Sequence, residues 1–235
     1  MPLEQPQSIR TIFFDAGFTL LYPHPSTPEI CQRICQQLDL HIHLDALQER
    51  MVEADDFFFR QSRQERHLWA SEEAINAFWL DYYMNFLRPF VEEHDEPRLY
   101  QLARRITQEF EQHTSWQIFP DVLPTLEVLK ARKYTLGIIS DWGISLGRIL
   151  HEHHLNRYFD HMLVSALTRH AKPSPALYER AFLHSRRSRC TLGWHHTYPV
   201  RSPPAPAREQ RRLYLDPLTH RSPGTAGDIL IYVGT

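Results

Sequence analysis

Cysteines and long apolar runs are scarce in this sequence, and each scarcity excludes a class of protein. Three cysteines, Cys31, Cys35 and Cys190, are too few for a disulfide framework. Cys31 and Cys35 lie one helical turn apart with no second cysteine pair, so we expect a helix face rather than half of a metal site. No apolar run reaches the roughly 18 residues of a membrane span, and none precedes residue 11 as in a signal peptide. We therefore expect a cytoplasmic protein without a membrane partner.

The overall charge is close to neutral, which argues against a nucleic-acid partner. The formal net charge is −2, although residues 186–235 carry +5 and the first 185 residues carry −7. The basic segment lacks aromatic residues at base-stacking spacing. Histidines at 151 and 154 share one face of an expected helix, which a solvated surface explains without a metal. No GxxxxGK[ST] motif is present, which argues against nucleoside triphosphate binding of the P-loop type.

Hydrophobic periodicity divides the chain into a strand, a long helical stretch and an alternating region. A short apolar run over residues 9–14 is typical of a buried strand, and no strand signal appears between 22 and 115, where apolar residues recur at helical spacing. From residue 116 onward, strands and helices alternate: helices over 119–133, 144–155 and 174–185, and strands over 134–140 and 161–165. In the first of these helices, the residues expected to face inward are Leu123, Leu126, Val128 and Leu129. The order predicts an α/β fold with a parallel sheet, helices on both faces and an all-helical insertion.

Three polar residues follow or end the predicted strands. Asp15 ends the first apolar run, Ser140 ends the second strand, and Lys172 lies a short loop beyond the third. Because parallel sheets bind ligands at the carboxyl ends of their strands, we expect these side chains to converge on one crevice. A carboxylate can act there as a nucleophile, a hydroxyl can donate to a phosphate oxygen, and a lysine can neutralise charge. Backbone N–H groups beside Gly17 could cradle a phosphate.

Three stretches resemble the first three motifs of the haloacid dehalogenase-like (HAD) hydrolase superfamily. They are "FFDAGFTL", "LGIISDW" and "AKPSPALYERA", in the family's order and with a helical insertion after the first. The resemblance covers about residues 9–185 and implies a Rossmann-like core. It implies that Asp15 is the nucleophile, that Ser140 binds the transferring group and that Lys172 orients and screens Asp15. The helical insertion would then be a cap that closes over the site.

The same resemblance implies a cofactor and a set of substrate contacts. Mg²⁺ would be held in part by Asp15, and a small phosphorylated organic molecule would be the substrate. The phosphate would contact the loops that follow the first two strands, at Ala16, Gly17, Thr19 and Asp141. From the residues alone, Asp141 is open to interpretation as a substitute acid or as a loop residue that caps the following helix, of which capping is the commoner role.

Two departures from the family pattern bear on the reaction. Phosphatases of the family have a second acid two residues after the nucleophile, where this chain has Gly17. The fourth motif should end in acids that hold Mg²⁺, but "ILIYVGT" places Thr235 there, 63 residues after Lys172. The resemblance therefore leaves open a metal-independent 2-haloacid dehalogenase or a catalytically impaired relative.

Residues 186–227 interrupt the pattern with an Arg/Pro-rich stretch that has no sustained period. We interpret this stretch as a shifted reading frame or a retained non-coding segment, with a native basic insertion as the alternative. The expected organisation is a core over 9–21 and 116–185, a helical cap over 22–115, the irregular segment over 186–227 and a final core strand over 228–235.

Overall fold

The structure is a computed structural model that describes residues 11–64, 68–184 and 229–232. Within these residues the strands are β1 Thr11–Phe14, β2 Leu21–Pro23, β3 Trp116–Ile118, β4 Thr135–Ser140, β5 His161–Val164 and β6 Ile229–Tyr232. The helices are α1 Thr27–Gln37, α2 Leu44–Gln64, α3 Glu72–Leu87, α4 Glu96–Phe110, α5 Val122–Ala131, α6 Ser145–Glu152, α7 Ser165–Thr168 and α8 Pro175–His184. None of the described helices is long and apolar enough to cross a membrane.

A parallel four-stranded sheet forms the core, with strand order β5-β4-β1-β6. Alternate residues of a strand face opposite sides of a sheet, and the buried clusters follow this rule. Ile12, Phe14 and Ile138 pack with α5 and α6 on one face, whereas Phe13 and Ile139 pack with α8 on the other. The predicted parallel sheet with helices on both faces is therefore confirmed. All four strands run in the same direction, so their carboxyl ends share one edge.

A close fit between β1 and β4 sets their separation. Phe13 is fully buried and pairs with Gly137 in the strand register. A Cβ atom placed on Gly137 would lie 2.3 Å from a carbon of the Phe13 ring. The ring thus occupies the volume that a side chain at 137 would need, and this contact places the ends of the two strands side by side.

Four helices between β2 and β3 form a second packing unit, which we call the helical block (residues 24–115). Its own buried cluster includes Ile34, Leu47, Phe86, Leu102 and Ile106. The α1 helix buries Cys31 and Cys35 on its inner face, as expected for structural thiols.

A short strand at the start of the expected cap (22–115) left no signal in the sequence. Tyr22 and Pro23 belong to β2, which pairs antiparallel with β3 in a separate two-stranded ribbon. The Tyr22 ring lies 4.6 Å from the ring of Phe119, and its hydroxyl donates to Gln117 Oε1 at 2.7 Å. The ribbon joins the helical block to the core, and strands of three residues are too short to show a period in sequence.

Candidate active site

The three predicted strand-end residues meet at one edge of the sheet. Asp15 directly follows β1, and its Oδ1 accepts a hydrogen bond of 2.9 Å from the hydroxyl of Ser140. The ammonium nitrogen of Lys172 lies 3.0 Å from Asp15 Oδ2, and both side chains are about five-sixths buried, with 17% of Asp15 and 16% of Lys172 exposed. Each carboxylate oxygen of Asp15 therefore has its own donor, which fixes the orientation of the group.

The residue after Ser140 takes part in the same arrangement. Asp141 Oδ1 accepts a hydrogen bond of 2.9 Å from the backbone N–H of Lys172. Desolvation raises the pKa of Asp141 to about 6, and the nearby Asp15 charge adds to this, while the Lys172 charge and N–H act against it. The interpretation of Asp141 as a helix cap is wrong, because α6 begins at Ser145, has Ile144 at its N-cap and receives no side-chain cap bond.

Gly17 lies beneath an aromatic ring that the sequence interpretation did not include. A Cβ atom at position 17 would lie 3.2 Å from Cζ3 of Trp142. The Trp142 ring in turn lies 4.6 Å from the ring of Trp116 in β3, so two indoles line this side of the strand ends. The position where family phosphatases carry a second acid is therefore crowded by an indole.

The other two predicted phosphate contacts have different surroundings. The N–H of Ala16 donates to Asp15 Oδ1 at 2.8 Å, so it already helps to orient the nucleophile candidate. The hydroxyl oxygen of Thr19 is buried, and within the described part of the chain it has no hydrogen-bond partner. Neither observation tests phosphate binding, which stays a prediction for both residues.

A glutamate from the helical block reaches the loop that follows β4. Glu72, the first residue of α3, accepts a hydrogen bond of 2.8 Å from the backbone N–H of Ile144. Its carboxylate lies 2.9 Å from the position that a Cβ of Gly143 would occupy, so glycine permits the approach. Burial and the nearby charge of Glu72 raise the pKa of Glu111. The α3 end of the block thus docks against the loop that carries Trp142.

Sequence reasoning missed Trp142, Trp116 and Glu72. Trp142 stands two residues after Ser140, so a search around the strand end could have included it. Nothing in the local pattern of Glu72 points to the site, because its partner lies 72 residues away along the chain.

The sequence profile of the haloacid dehalogenase-like hydrolases matches residues 9–184. This chain belongs to the haloacid dehalogenase-like hydrolases. The match covers β1, β4 and β5 of the sheet, the helical block and the three strand-end residues, and it supports the assignment of the chain as a hydrolase. Comparison with curated proteins gave no match.

Several solved structures share the fold. The magnesium-bound structure of YfnB from Bacillus subtilis, assigned as a HAD-hydrolase, is 19% identical over 75% of this chain and 72% of its own, with a TM-score of 0.55. A predicted phosphoglycolate phosphatase from Haemophilus somnus 129PT is 17% identical over 77% and 73%, with a TM-score of 0.52. A Thermotoga maritima protein assigned as a beta-phosphoglucomutase is 15% identical over 76% and 71%, with a TM-score of 0.50. At these identities the likeness concerns the fold alone.

Magnesium is common among haloacid dehalogenase-like hydrolases, so we compared the expected ligands with the residues present. No group of three or more His, Cys, Asp or Glu side chains in the described ranges could hold a metal ion. Asp15 is already bonded to Ser140, Ala16 and Lys172. Thr235, at the position expected for the fourth-motif acid, lies outside the described residues. The described side chains therefore do not fit a magnesium site.

The histidine pair at 151 and 154 does not share a helix face. His151 lies in α6, which ends at Glu152, whereas His154 lies beyond the helix with a left-handed φ of 58°. His195 and His196, a second pair of neighbouring histidines in the sequence, lie outside the described residues.

Proposed function

We propose that this hydrolase acts through a covalent intermediate on Asp15 and that its leaving group departs without a proton from the protein. The observation that carries the proposal is the pair of contacts on Asp15, with Ser140 Oγ at 2.9 Å and Lys172 Nζ at 3.0 Å. A carboxylate held by two donors is pre-oriented for attack, and the ammonium offsets negative charge in an approaching substrate.

The reaction has two steps. In the first step, an oxygen of Asp15 forms a bond to the electrophilic atom of the substrate, and the bond to the leaving group breaks with its electron pair. In the second step, water attacks the carbonyl carbon of the Asp15 ester formed from a haloacid, or the phosphorus of the Asp15 phosphate formed from a phosphorylated substrate. The products are the hydroxylated substrate, a proton released to solvent and the regenerated carboxylate, so the atoms and charges balance.

The absence of an acid at position 17 decides which leaving groups are suitable. An alkoxide leaving a phosphate ester requires protonation, whereas a halide ion leaves unprotonated. Trp142 packs 3.2 Å from a Cβ placed on Gly17, so the chain has an indole where the family's general acid stands. A small 2-haloacid is therefore the substrate class that the site favours, with halide as the leaving group.

A small phosphorylated organic molecule is the second candidate. Two unit charges about 4 Å apart at an effective dielectric of about 20 repel by about 4 kcal/mol, which opposes attack of Asp15 on a phosphate. The Lys172 ammonium at 3.0 Å offsets part of that repulsion. Phosphoryl transfer would therefore be favoured only for substrates with leaving groups that need no proton, such as acyl phosphates.

We further propose that the helical block serves as the cap of this hydrolase. Its α3 helix reaches the loop after β4 through the Glu72 contact with Ile144, next to Trp142. A cap in this position would exclude water during the first step, which strengthens the interactions of Asp15 with its two donors.

Substrate-release assays on the purified chain test the proposal. We expect halide release from 2-chloropropionate that is unchanged by EDTA, and phosphate release from acetyl phosphate but little from an alkyl phosphate. The isosteric variant Asp15→Asn keeps the shape of the site but lacks the nucleophile, so turnover should fall by roughly a thousandfold or more.

Labelling identifies the intermediate. In a single turnover of 2-chloropropionate in H₂¹⁸O, hydrolysis of the Asp15 ester at its carbonyl carbon should place ¹⁸O in the Asp15 carboxylate, which mass spectrometry of the peptide detects. An Asp15→Asn protein that retains the activity, or turnover without label in Asp15, would contradict the proposal. Strong Mg²⁺-dependent hydrolysis of alkyl phosphates would contradict the substrate class alone.

A further inference from the structure

The Lys172 loop is attached to the end of β4 through a partly buried acid that the proposed reaction does not use. Asp141 accepts the backbone N–H of Lys172 at 2.9 Å, while the same lysine places its ammonium 3.0 Å from Asp15. Ser140, the neighbour of Asp141 in sequence, donates to the other oxygen of Asp15. These contacts close a ring that runs from Asp15 through Ser140, Asp141 and Lys172 back to Asp15.

We propose that Asp141 is a positioning residue, which holds the ammonium of Lys172 against Asp15 by accepting the backbone N–H of Lys172. The inference rests on the proposed role of Asp15 as nucleophile. It assigns to Asp141 a role that differs from helix capping and from phosphate binding.

The surroundings of Lys172 explain why its backbone needs an anchor. Lysine has a long, flexible side chain, so the position of its ammonium depends on where its backbone is held. The α7 helix ends before it at Thr168, and Arg169 then adopts a left-handed φ of 59°. On the other side, Ser174 N–H donates to the carbonyl of Ala171 at 2.8 Å. The Asp141 bond ties this turn to the residue that directly follows Ser140.

The cost of burying Asp141 supports a role for its contacts. Desolvation raises its pKa to about 6, so the ionised form is kept in an environment that disfavours it. The charged groups that act on Asp141 are Lys172 and Asp15. Tyr178 of α8 faces the same carboxylates: burial raises the pKa of Tyr178, and the charges of Asp141 and Asp15 raise it further. Asp141 thus contacts the backbone of Lys172 while the ammonium contacts Asp15, and the acceptor function of Asp141 could be supplied without charge by asparagine.

The chain offers a direct readout of Lys172. It contains three lysines, Lys130, Lys133 and Lys172, so reductive methylation with ¹³C-formaldehyde labels few side chains. Dimethyl-lysine keeps its positive charge and one N–H donor. The Lys172 resonance is assigned by its loss in Lys172→Arg, and its shift reports the environment of the ammonium independently of turnover.

We expect Asp141→Ala to move the Lys172 resonance toward the position of free dimethyl-lysine. In the same variant, kcat for halide release should fall by roughly ten- to a hundredfold, as for a small misplacement of a catalytic group, while KM changes little. Asp141→Asn keeps the acceptor oxygen and should retain both the resonance and a kcat within about threefold of the unmodified chain.

Each result decides the proposal. An unchanged Lys172 resonance in Asp141→Ala overturns it, and so does an Asp141→Asn variant as impaired as Asp141→Ala, because then charge rather than the acceptor would matter. If Asp141→Ala does not fold, Asp141→Ser provides the same comparison with a side chain too short to reach the Lys172 N–H. Failure of the Asp15 proposal is recognised separately, since Asp15→Asn would stay active while the resonance test still reports on Asp141.

Discussion

At position 141, a carboxylate occupies a setting that favours its protonated form. Its folded-state pKa of about 6 exceeds the ordinary value of 3.8, so the folded state binds more protons than the unfolded state between these values. The contribution of this group to stability is therefore complete below about pH 4 and is lost as the pH rises through 6. Near neutral pH, the ionised form of Asp141 destabilises the fold.

Asp141→Asn should therefore gain stability relative to the unmodified chain as the pH is raised. Asparagine keeps the acceptor for the Lys172 N–H and does not ionise, so the difference in unfolding free energy should increase between pH 4 and 7 by at most about 3 kcal/mol. A smaller rise is expected because Asp141 is only partly buried. Urea titrations across this pH range measure it. Asp121→Asn, at an exposed position without a side-chain cap bond, serves as the matched control.

From the sequence, the site residues that end or follow predicted strands could be identified, whereas contacts between segments far apart in the chain could not. Asp15, Ser140 and Lys172 were accessible because parallel strand ends share one edge of a sheet. The Glu72 contact with Ile144 joins segments 72 residues apart, and the packing of Trp142 on Gly17 depends on side-chain direction. Neither leaves a periodic signal, so only coordinates reveal them.

Among the elements, β1 and β4 depend on one small residue. Gly137→Ala would place a methyl group 2.3 Å from the Phe13 ring. Phe13 is fully buried, so its ring cannot move into solvent to avoid the methyl group. Overpacking of this kind costs roughly 1–3 kcal/mol of unfolding free energy. The matched control is Gly147→Ala within α6, where the new methyl would lie 3.4 Å from Cε of the flexible Met162 side chain. Helix propensity predicts that the free energy of unfolding of this variant stays the same or rises by up to about 1 kcal/mol. Guanidinium denaturation compares the two, and equal stabilities would contradict the close fit of β1 and β4.

Helix and strand order could be read from the sequence, but helix faces and short strands could not. The α5 stripe toward the core consists of Val122, Leu126 and Leu129, spaced four and three residues apart. Leu123 and Val128, expected to face inward, are 36% and 50% exposed. When a helix has apolar residues on several sides, its sequence does not show which side will pack against the sheet. The β2–β3 ribbon forms through pairing between distant segments, and each of its three-residue strands is too short to show a hydrophobic period.

For the whole molecule, the sheet is completed by a segment far along the chain. The final core strand expected over 228–235 is present as β6, and Ile229 to Tyr232 pair with Thr11 to Phe14 in parallel register. This register sets the end of β6 beside the end of β1, where Asp15 follows. Residues 186–227, which the sequence interpretation assigned to a shifted frame or an insertion, lie outside the described residues.

A chain that ends at Gly227 should therefore be less stable than the full chain. Removing β6 makes β1 an edge strand and leaves the N–H and C=O groups on one of its sides unpaired. An exposed strand edge of this kind is also a template for self-association. With about four ladder residues lost at roughly 0.5–1.5 kcal/mol per hydrogen bond, the free energy of unfolding should fall by about 2–6 kcal/mol. Thermal unfolding and sedimentation velocity measure the two effects. A chain that ends at Tyr232 retains β6 and should match the full chain, whereas equal stability of the chain ending at Gly227 would show that β6 does not contribute to the sheet in solution.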